Sequence, residues 1–430
     1  MATQREGSKV PPSVHATYLV QSWMDLEEAA EILAGEQSSG TFIEVAAETP
    51  EIQARHRAEL ESLERIEPCE GLALPGALEP AGGELSAALI RVRFPLENIG
   101  TSIPNLLSTV AGNLYELPQF AALKLLDLDL PQEFAEAYPG PKHGIDGTRS
   151  LMGVAPGRPM VGAIVKPSVG LRPDQYAEVI EELAWAGVDF VKDDELIADP
   201  PYSPLEDRVE AVMSAIDRVA QSTGKKVMYA FNITDEVDRM LRHQETVTRH
   251  GGDCVMVCPV TAGLAGLTAV TKETEAVVHG HRAMFGALSR SPVLGMGFRA
   301  FQKLVRLAGV DHLHTNGLGN KFYETDEQVV DSIAAVHTPL FGGYRTLPVL
   351  SSSQSAATVE RTWQAIGTTD VLMVAGGGIA SHPHGPRAGV QSIRDAWECV
   401  LQGGSPVEQT HNERLQAALE TFGRGPSKGS

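Results

Sequence analysis

A run of seven residues, 189–195, combines a lysine with acidic side chains in a pattern that could bind a metal ion. Its sequence is Asp-Phe-Val-Lys-Asp-Asp-Glu, and it lies at the end of a predicted β-strand. Because side chains alternate along a strand, Lys192 and Asp194 are expected to face the same way, while Glu195 lies where the strand gives way to a loop. Carboxylate oxygens suit a hard cation such as Mg²⁺, and a carbamate formed from Lys192 and CO₂ would add a third anionic oxygen. The alternative is a solvated charge cluster in which Lys192 forms a local ion pair.

The elements that would position this run alternate regularly after about residue 145. Short apolar segments are predicted to be strands, and the segments between them have helical spacing, with Gly187 and Gly224 just past two helix ends. Eight such strand–helix units favour a (β/α)₈ barrel, that is, a TIM barrel. The predicted strands are residues 160–165, 190–194, 227–232, 254–260, 276–281, 312–314, 348–351 and 372–375.

The chain before about residue 145 has a different pattern. Strand-like stretches at 17–20 and 85–94 are mixed with a helical stretch at 25–34, which indicates an α+β domain. The predicted parts are an N-terminal α+β domain over residues 1–145, a barrel domain over 146–422, and a Gly-, Ser- and Pro-rich tail over 423–430 that is expected to be disordered.

Composition restricts the classes of function. The chain has 430 residues, is 43% hydrophobic and carries a formal charge of −20. It can therefore bury a large core, and its negative charge disfavours general binding to nucleic acid or to an anionic membrane. The first residues contain no apolar signal-like region, and no stretch approaches the roughly 20 apolar residues of a membrane span, so a cytoplasmic protein is expected. The four cysteines are too few for a disulfide framework and are expected to be reduced core thiols.

Polar groups follow the apolar part of seven of the eight predicted barrel strands. Chemistry in such barrels takes place at the carboxyl ends of the strands. A single strand histidine is more often a hydrogen-bonded core residue, and a run of glycines can be a simple turn. Polar groups that converge on one rim from seven strands instead indicate a binding or catalytic site. They are residues 166–168, 192–195, 232, 279–282, 312–314, 351–353 and 376–378.

Five motifs, taken in order, resemble those of the RuBisCO large-chain superfamily. The resemblance covers about residues 15–410. It implies an N-terminal ferredoxin-like α+β domain, a C-terminal (β/α)₈ barrel, and a head-to-tail homodimer with shared active sites that can assemble into higher oligomers of dimers. The motifs are Gly162-x-x-x-Lys166-Pro167, Asp189-Phe190-x-Lys192-Asp193-Asp194-Glu195, His281-Arg282-Ala283-Met284, Asp311-His312-x-His314 and Gly376-Gly377-Gly378-x-x-x-His382-Pro383.

The resemblance implies a role for each polar group near the predicted metal site. Lys192 matches the lysine that carries the CO₂-derived carbamate, and Asp194 and Glu195 match the other Mg²⁺ ligands. Lys166 matches the lysine that handles the proton during enolisation, and His281 matches the histidine next to the metal. The implied cofactors are Mg²⁺ and CO₂ as a lysine carbamate.

The resemblance also implies two phosphate-binding groups, and hence a phosphorylated sugar or sugar-acid substrate. Arg282, His314 and Ser351 match one group. Gly376 and Gly377 match part of the other, which Thr41 of the partner subunit would complete. The remaining matches are Glu36, Thr41 and Asn113, where the N-terminal domain contributes to the site, and Lys321, where a mobile loop lysine closes over substrate.

Several positions depart from the carboxylases of this superfamily. Ser168 follows the first lysine motif where they carry a second lysine, and Ser352 and Ser353 stand where they have two glycines. The two serines are expected to narrow or redirect the second phosphate pocket. The chain is therefore expected to be a RuBisCO-like protein of type IV and not a CO₂-fixing enzyme. The other departures are Phe285 for a histidine, Phe42 for a tryptophan and Ala163 for a polar residue.

The residue set contains what enolate chemistry requires: a Lewis acid, a proton-transfer lysine and cations for a phosphate group. Retention of the reactive side chains favours a reaction close to the ancestral one. We therefore expect Mg²⁺-dependent decarboxylation of a keto-sugar acid of the 3-oxo-isoapionate 4-phosphate type. The retained side chains are Lys166, Lys192, His281, His314 and Lys321.

Other functions fit parts of the pattern. One is an isomerase or enolase that acts on a ketose phosphate such as methylthioribulose phosphate in methionine salvage, and another is a true ribulose bisphosphate carboxylase. A carbamylated-lysine metallohydrolase also uses a barrel, but it normally has its first His-x-His on strand 1, where this chain has Lys166-Pro167. The last alternative is a non-catalytic binding protein that retains a fossil site.

Overall fold

Thirteen strands and seventeen α-helices form the regular structure of residues 11–40 and 45–423, which are the residues described by the computed structural model. The strands are β1 (Ser13–Ser22), β2 (Glu59–Ile66), β3 (Ser86–Pro95), β4 (Ala122–Asp129), β5 (Met160–Ile164), β6 (Phe190–Lys192), β7 (Met228–Asn232), β8 (Cys254–Val257), β9 (Val277–Gly280), β10 (Leu294–Met296), β11 (His312–His314), β12 (Leu347–Leu350) and β13 (Leu372–Ala375). The helices are α1 (Leu26–Glu36), α2 (Pro50–His56), α3 (Leu96–Ile99), α4 (Ile103–Ala111), α5 (Glu133–Ala137), α6 (Gly144–Leu151), α7 (Pro173–Ala186), α8 (Leu205–Thr223), α9 (Val237–Arg249), α10 (Pro259–Glu273), α11 (Phe285–Ser289), α12 (Phe298–Leu307), α13 (Asp326–His337), α14 (Ala356–Ile366), α15 (Gly377–Ala380), α16 (Gly385–Leu401) and α17 (Glu413–Phe422), with short 3₁₀ helices at Asn113–Glu116 and Pro406–Glu408.

The chain divides into two units. The first consists of Met1–Tyr138 and Phe285–Leu304, and the second of Pro139–Met284 and Val305–Ser430. Within the described residues, no helix has both the length and the apolar character needed to span a membrane. The domain boundaries at 145 and 422 stay predictions, and most of the tail predicted to be disordered lies outside the described residues.

The first unit contains a five-stranded sheet in the order β10-β4-β1-β3-β2. β1 pairs antiparallel with β3 and β4, β2 pairs antiparallel with β3, and β10 pairs parallel with β4. Alternation along β1 buries Val14, Ala16, Tyr18 and Val20 on one face of the sheet. The Tyr18 hydroxyl donates to the carbonyl of Val110 in α4 at 2.7 Å, which ties the helix to this face. The predicted N-terminal α+β domain is confirmed.

Strands β2, β4 and β10 were not predicted. β2 is an edge strand in which half of the residues are charged, so it lacks the apolar alternation that marks a strand. Its carboxylates instead bind arginines of β3: Glu59 lies 2.6 Å from Arg93, and Glu61 lies 2.5 Å from Arg91. Such cross-strand charge pairs replace apolar contacts at an exposed edge.

The second unit contains a closed barrel of eight strands in the order β5-β6-β7-β8-β9-β11-β12-β13, with β13 paired to β5. Neighbouring barrel strands are parallel. The predicted (β/α)₈ barrel is confirmed, and the eight predicted strands are its strands. The strand predicted over 254–260 was too long, because Pro259 begins α10 and has no N–H for a strand ladder. The strand predicted over 190–194 ends at Lys192, so Asp194 already belongs to the loop.

The interior of the barrel changes from apolar to polar along the strands. Near their amino ends, apolar side chains such as Phe190 and Val277 form a buried core with Ile145 of α6. Two residues further along the same strands stand Lys192 and His279, which are also fully buried. Because every second side chain faces the interior, the carboxyl ends of the strands enclose polar groups that the amino ends do not.

Candidate active site

Lys192 is buried at the end of β6 beside two carboxylates. Its Nζ donates to the Asp193 carbonyl at 2.8 Å and lies 3.6 Å from Glu195 Oε2. Burial lowers the pKa of Lys192, and the nearby charges of Glu195 and Asp194 only partly oppose this shift. The alternative of a solvated charge cluster does not fit Lys192, because its side chain has no exposed area.

The Asp193 side chain has a different environment from its neighbours. Its carboxylate accepts from the Tyr229 hydroxyl at 2.6 Å and from the Asn232 N–H at 2.9 Å, and it lies 3.3 Å from Arg208. These groups are buried and satisfy Asp193 within the protein. Asp193 therefore has a structural role, which leaves Asp194 and Glu195 next to Lys192.

Lys166, which follows β5, contacts the same cluster. Its Nζ lies 2.9 Å from Asp194 Oδ2 and 2.7 Å from Ser168 Oγ. Burial would raise the pKa of Asp194, but hydrogen bonds from Lys166 and Ser168 more than offset this and lower it. A Cβ added at Gly376 would lie 3.2 Å from Lys166 Cε, so the glycine lets the end of β13 approach the lysine. The structure thus brings two lysines from neighbouring strands to one pair of carboxylates.

His281 lies directly after β9 and faces Glu195. Its Nδ1 accepts from the Ala283 N–H at 3.2 Å, so a neutral ring carries its proton on Nε2, which lies 3.5 Å from Glu195 Oε2. Burial keeps the pKa of His281 well below its usual range, with a further contribution from the positive charge of Lys192. His281 therefore offers a neutral N–H donor on the Glu195 side of the cluster.

Three residues predicted to bind phosphate lie at neighbouring strand ends. Arg282 Nη2 lies 2.9 Å from Glu324 Oε1, and both side chains are more than nine-tenths buried. His314 Nδ1 lies 3.0 Å from Ser351 Oγ. The His314 ring contacts His281 edge to face, with centroids 4.3 Å apart. Residues near Lys192 and residues predicted to bind phosphate therefore form one continuous group.

Glu324 was not predicted from the sequence. It lies between Lys321 and α13, outside every motif, and it accepts from the Asn316 amide as well as from Arg282. Only the fold reveals this pairing, because a single acidic residue in a loop has no distinguishing spacing. The bond holds the Arg282 guanidinium beside a buried carboxylate.

The other predicted site residues have fewer contacts with the group around Lys192 and Arg282. Lys321 is exposed, with its Nζ 5.5 Å from the centre of the Phe322 ring. Gly377 is the first residue of α15. In the first unit, Glu36 ends α1 and Asn113 begins a 3₁₀ helix, and their role in a partner's site stays a prediction. Thr41 and Phe42 lie outside the described residues.

Ser352 and Ser353 have left-handed backbones, with φ of 66° and 57°. This conformation favours glycine and costs a residue with a Cβ roughly 1–2 kcal/mol. The loop therefore keeps a glycine-type backbone while it adds two hydroxyl groups. Ser352 Oγ accepts from the Lys321 N–H at 3.2 Å, which connects it to the loop that follows β11.

Phe285, which stands where the carboxylases have a histidine, is fully buried within the first unit. Its ring stacks on Phe301 with centroids 4.4 Å apart and contacts Phe298 edge to face. This departure is therefore an apolar packing residue.

A second group of potential metal ligands comprises Asp199, Asp235 and His243. Arg239 lies among them, 2.5 Å from Asp199 and 3.2 Å from Asp235. The guanidinium already supplies the positive charge that the two carboxylates require, so this group is a structural ion cluster.

Both parts of the chain match known protein families. Residues 14–134 match the N-terminal domain of the ribulose bisphosphate carboxylase large chain, and residues 144–422 match its catalytic domain. The chain belongs to the RuBisCO large-chain family. This confirms the family predicted from the five motifs.

Similar proteins lie in the RuBisCO-like branch of that family. A 3-oxo-isoapionate-4-phosphate transcarboxylase/hydrolase of Xanthobacter autotrophicus is 45% identical over 409 residues, which cover 94% of this chain and 98% of that one. A 3-oxo-isoapionate-4-phosphate decarboxylase of Rhizobium etli is 40% identical over 416 residues, which cover 95% and 98%. The crystal structure of a rubisco-like protein from Burkholderia fungorum superposes with a TM-score of 0.89 at 43% identity, covering 96% of this chain and all of that one. The chain is a RuBisCO-like protein, as predicted.

Proposed function

We propose that this protein is a Mg²⁺-dependent RuBisCO-like enzyme that decarboxylates a phosphorylated 3-oxo acid of the 3-oxo-isoapionate 4-phosphate type. The observation that carries the proposal is the 2.9 Å contact between Lys166 and Asp194. It joins the proton-transfer lysine to the carboxylates that would bind the metal. The names of the two relatives from Xanthobacter and Rhizobium support the substrate class.

Lys192, Asp194 and Glu195 are the residues that would hold the cation. Their donor set fits Mg²⁺, because two carboxylates and a lysine carbamate supply only oxygen ligands. The fully buried Lys192 supports the carbamate: burial lowers the pKa of the amine, and CO₂ reacts with a neutral amine and not with an ammonium. Bound there, a divalent cation supplies Lewis-acid stabilisation of an enolate oxygen.

Lys166 is the proton donor in the proposed reaction. The bond between the carboxylate carbon and the neighbouring carbon breaks, its electron pair forms an enolate with the 3-oxo group, and CO₂ leaves. The Lys166 ammonium, oriented by Asp194 and Ser168, then gives a proton to the carbon that lost CO₂. The Nε2–H of His281, on the Glu195 side of the cluster, is a neutral donor for a substrate oxygen.

Arg282, His314 and Ser351 would bind the phosphate group. The guanidinium of Arg282 is held by Glu324, so its direction is fixed before substrate arrives. A phosphate fixed at this end of the molecule restricts the position of the reacting carbon relative to Lys166. Lys321 would meet the substrate carboxylate when its loop closes.

The test is a reaction of purified protein with Mg²⁺, bicarbonate and carboxyl-labelled 3-oxo-isoapionate 4-phosphate in D₂O. Release of labelled CO₂ with one deuterium on the product carbon is the expected result. Lys166→Met should abolish both signals, and Lys226→Met, which alters a half-exposed lysine of the same unit, should leave them unchanged.

Other outcomes replace the proposal. Consumption of substrate without CO₂ would assign the transcarboxylase or hydrolase reaction named for the Xanthobacter relative. Turnover of methylthioribulose phosphate without CO₂ would assign an isomerase or enolase. No consumption and no deuterium exchange with any phosphorylated keto-sugar would overturn enolisation as the function of this site.

We also propose that the enzyme is a homodimer in which Glu36, Thr41 and Asn113 complete the partner's site. Sedimentation velocity should give at least a dimer. Mixing Asn113→Ala protein with Lys166→Met protein should restore activity, because one site of each mixed dimer would then carry neither substitution. A monomer with full activity would contradict a shared site.

A further inference from the structure

A continuous line of hydrogen bonds inside the barrel connects Ser351 to α6. Ser351 Oγ lies 3.0 Å from His314 Nδ1, and His314 Nε2 lies 2.7 Å from His279 Nε2. His279 Nδ1 lies 3.2 Å from His312 Nδ1, and His312 Nε2 lies 2.8 Å from Thr148 Oγ1. All five side chains are buried. We call this line the histidine chain.

The Thr148 hydroxyl fixes the direction of the histidine chain. It has a single hydrogen, and it donates that hydrogen to the Gly144 carbonyl at 2.5 Å. The contact between Thr148 and His312 therefore requires an N–H on His312 Nε2. Asp311 keeps this end in place, because its carboxylate accepts from the N–H of Gly144 and so ties α6 to the start of β11.

Each histidine then has one allowed proton position. Burial lowers the pKa of His279, His312 and His314, so each ring is neutral and carries one proton. With its proton on Nε2, His312 accepts at Nδ1 from His279. His279 consequently accepts at Nε2 from His314, and His314 accepts at Nδ1 from the Ser351 hydroxyl. In this arrangement the hydroxyl hydrogen of Ser351 points inward, toward His314 and away from a bound ligand.

A phosphate ester conflicts with this arrangement. Its dianion has only acceptor oxygens, so Ser351 must turn its hydrogen outward to bind it. His314 Nδ1 then needs a proton of its own to donate to Ser351. A second complete arrangement supplies one: each histidine holds its proton on the other nitrogen, and Thr148 donates to His312 and no longer to Gly144. Every ring stays neutral in both arrangements, so no charge is buried.

We propose that phosphate binding reverses the histidine chain, and that His279, His312 and Thr148 are positioning residues that set the affinity for the phosphate group. This rests on the proposed function for the phosphate site at Arg282 and Ser351. Reversal costs one hydrogen bond, because Thr148 bonds both Gly144 and His312 in the first arrangement and only His312 in the second. This bond joins Thr148 to Gly144, and it lies at the opposite end of the histidine chain from the bound phosphate.

Neutron diffraction locates the hydrogens directly. The probe is sulfate at about pH 8, because it is a dianion without a hydrogen under these conditions. Ligand-free crystals should show deuterium on His312 Nε2, His279 Nδ1 and His314 Nε2. Sulfate-bound crystals should show it on the opposite nitrogen of each ring.

The two structures separate this proposal from the proposed function. Two results would overturn the reversal and leave the phosphate site intact. In one, sulfate binds at Ser351 while the histidines keep their ligand-free proton positions. In the other, sulfate binds and His314 carries a proton on both nitrogens. Failure of sulfate to bind near Arg282 would overturn the phosphate site and, with it, the reversal. Any other proton positions in the ligand-free crystal would overturn the chain direction itself.

Thr148→Val tests the same idea in solution. Valine keeps the shape of threonine but makes neither hydrogen bond, so reversal no longer costs a bond. We expect sulfate to bind tighter, by up to about tenfold, which is the net value of one hydrogen bond. Thr148→Ser keeps the hydroxyl and should bind sulfate like the wild type. Equal sulfate affinity for all three proteins, with only a lower melting temperature for the valine variant, would reduce Thr148 to a structural residue and overturn its positioning role.

Discussion

The two ends of the barrel each hold buried carboxylates among cations, but they balance the charges differently. At the amino end, Asp189 accepts from the Val161 N–H at 3.0 Å. Three cations surround the same carboxylate: Arg158 at 2.6 Å, Lys225 at 2.5 Å and Arg394 at 3.2 Å. At the carboxyl end, the buried Lys192 has Glu195 no closer than 3.6 Å. The Asp189 carboxylate at the amino end is satisfied by the protein itself, whereas the Lys192 amine at the carboxyl end has no comparably close carboxylate.

The pKa values reflect this difference. Burial would raise the pKa of Asp189, but Lys225, Arg158 and Arg394 together lower it, so its charged form is the stable one. Burial lowers the pKa of Lys192, and its carboxylate neighbours do not restore it. An ion cluster whose members stabilise each other's charges contributes to the fold. A cluster that leaves a buried charge poorly stabilised is instead suited to binding a ligand. Both clusters contain residues of the same run, 189–195.

The largest expected effect separates two lysines of the same unit. If the proposed function holds, Lys192→Met should reduce kcat/KM for CO₂ release by about 10³-fold or more, because it would remove a ligand of the proposed metal site and the enolate stabilisation that the metal would supply. Its melting temperature should not fall, since methionine avoids burying an ammonium. Lys225→Met should do the reverse, with a lower melting temperature and unchanged kcat/KM. Equal loss of activity in both variants would remove the distinction between the two ends.

Removing the carboxylate at the amino end should mainly affect stability. Asp189→Asn leaves Arg158, Lys225 and Arg394 without their shared anion, and we expect a loss of about 3–5 kcal/mol in the free energy of unfolding. Chemical denaturation measures this loss, and kcat/KM of the folded protein should stay near the wild-type value. Asp194→Asn at the carboxyl end is the matched variant and should lose activity with a smaller change in stability. A stable Asp189→Asn protein would contradict the structural role.

The histidine chain makes stability depend on pH. His279, His312 and His314 have pKa values lowered by burial, so below about pH 6.5 the unfolded chain binds more protons than the folded one. Stability is therefore complete above that pH and falls as the pH decreases, by up to about 1.4 kcal/mol per pH unit for each histidine. Urea unfolding between about pH 7.5 and 5 measures the slope, and His312→Phe should reduce it. A flat profile would mean that the buried rings accept protons without cost.

The smallest expected effect concerns the loop after β12. Ser352→Gly and Ser353→Gly remove a Cβ from a left-handed backbone but add freedom to the unfolded chain, so each should stabilise the protein by about 1 kcal/mol or less. Ser355→Ala is the control, because Ser355 caps α14, and its loss should destabilise by about 1 kcal/mol. Thermal unfolding measures whether each substitution raises or lowers the melting temperature. Destabilisation by either glycine would show that its serine hydroxyl contributes more than its backbone costs.

The barrel and its rim could be predicted because their signals are local. Apolar strands alternate with amphipathic helices, and polar residues lie at a strand end, as Lys192 does, or shortly after one, as Lys166 does. Glu324 and Thr148 could not be predicted, because only the closed barrel brings them to Arg282 and His312. The different environments of Asp193 and Asp194 could not be predicted either. The strand ends at Lys192, so the alternation of side chains no longer applies beyond it.

The short strand β10 has a consequence for the synthesis of the protein. It pairs with β4 of the first unit, yet the chain reaches Leu294–Met296 only after it has passed through β5 to β9. During synthesis, the edge of β4 that pairs with β10 therefore stays unpaired until most barrel strands have left the ribosome. A fragment that stopped at Tyr138 would keep that edge exposed and would be prone to self-association. Domain dissection should therefore keep residues 285–304 with the N-terminal segment.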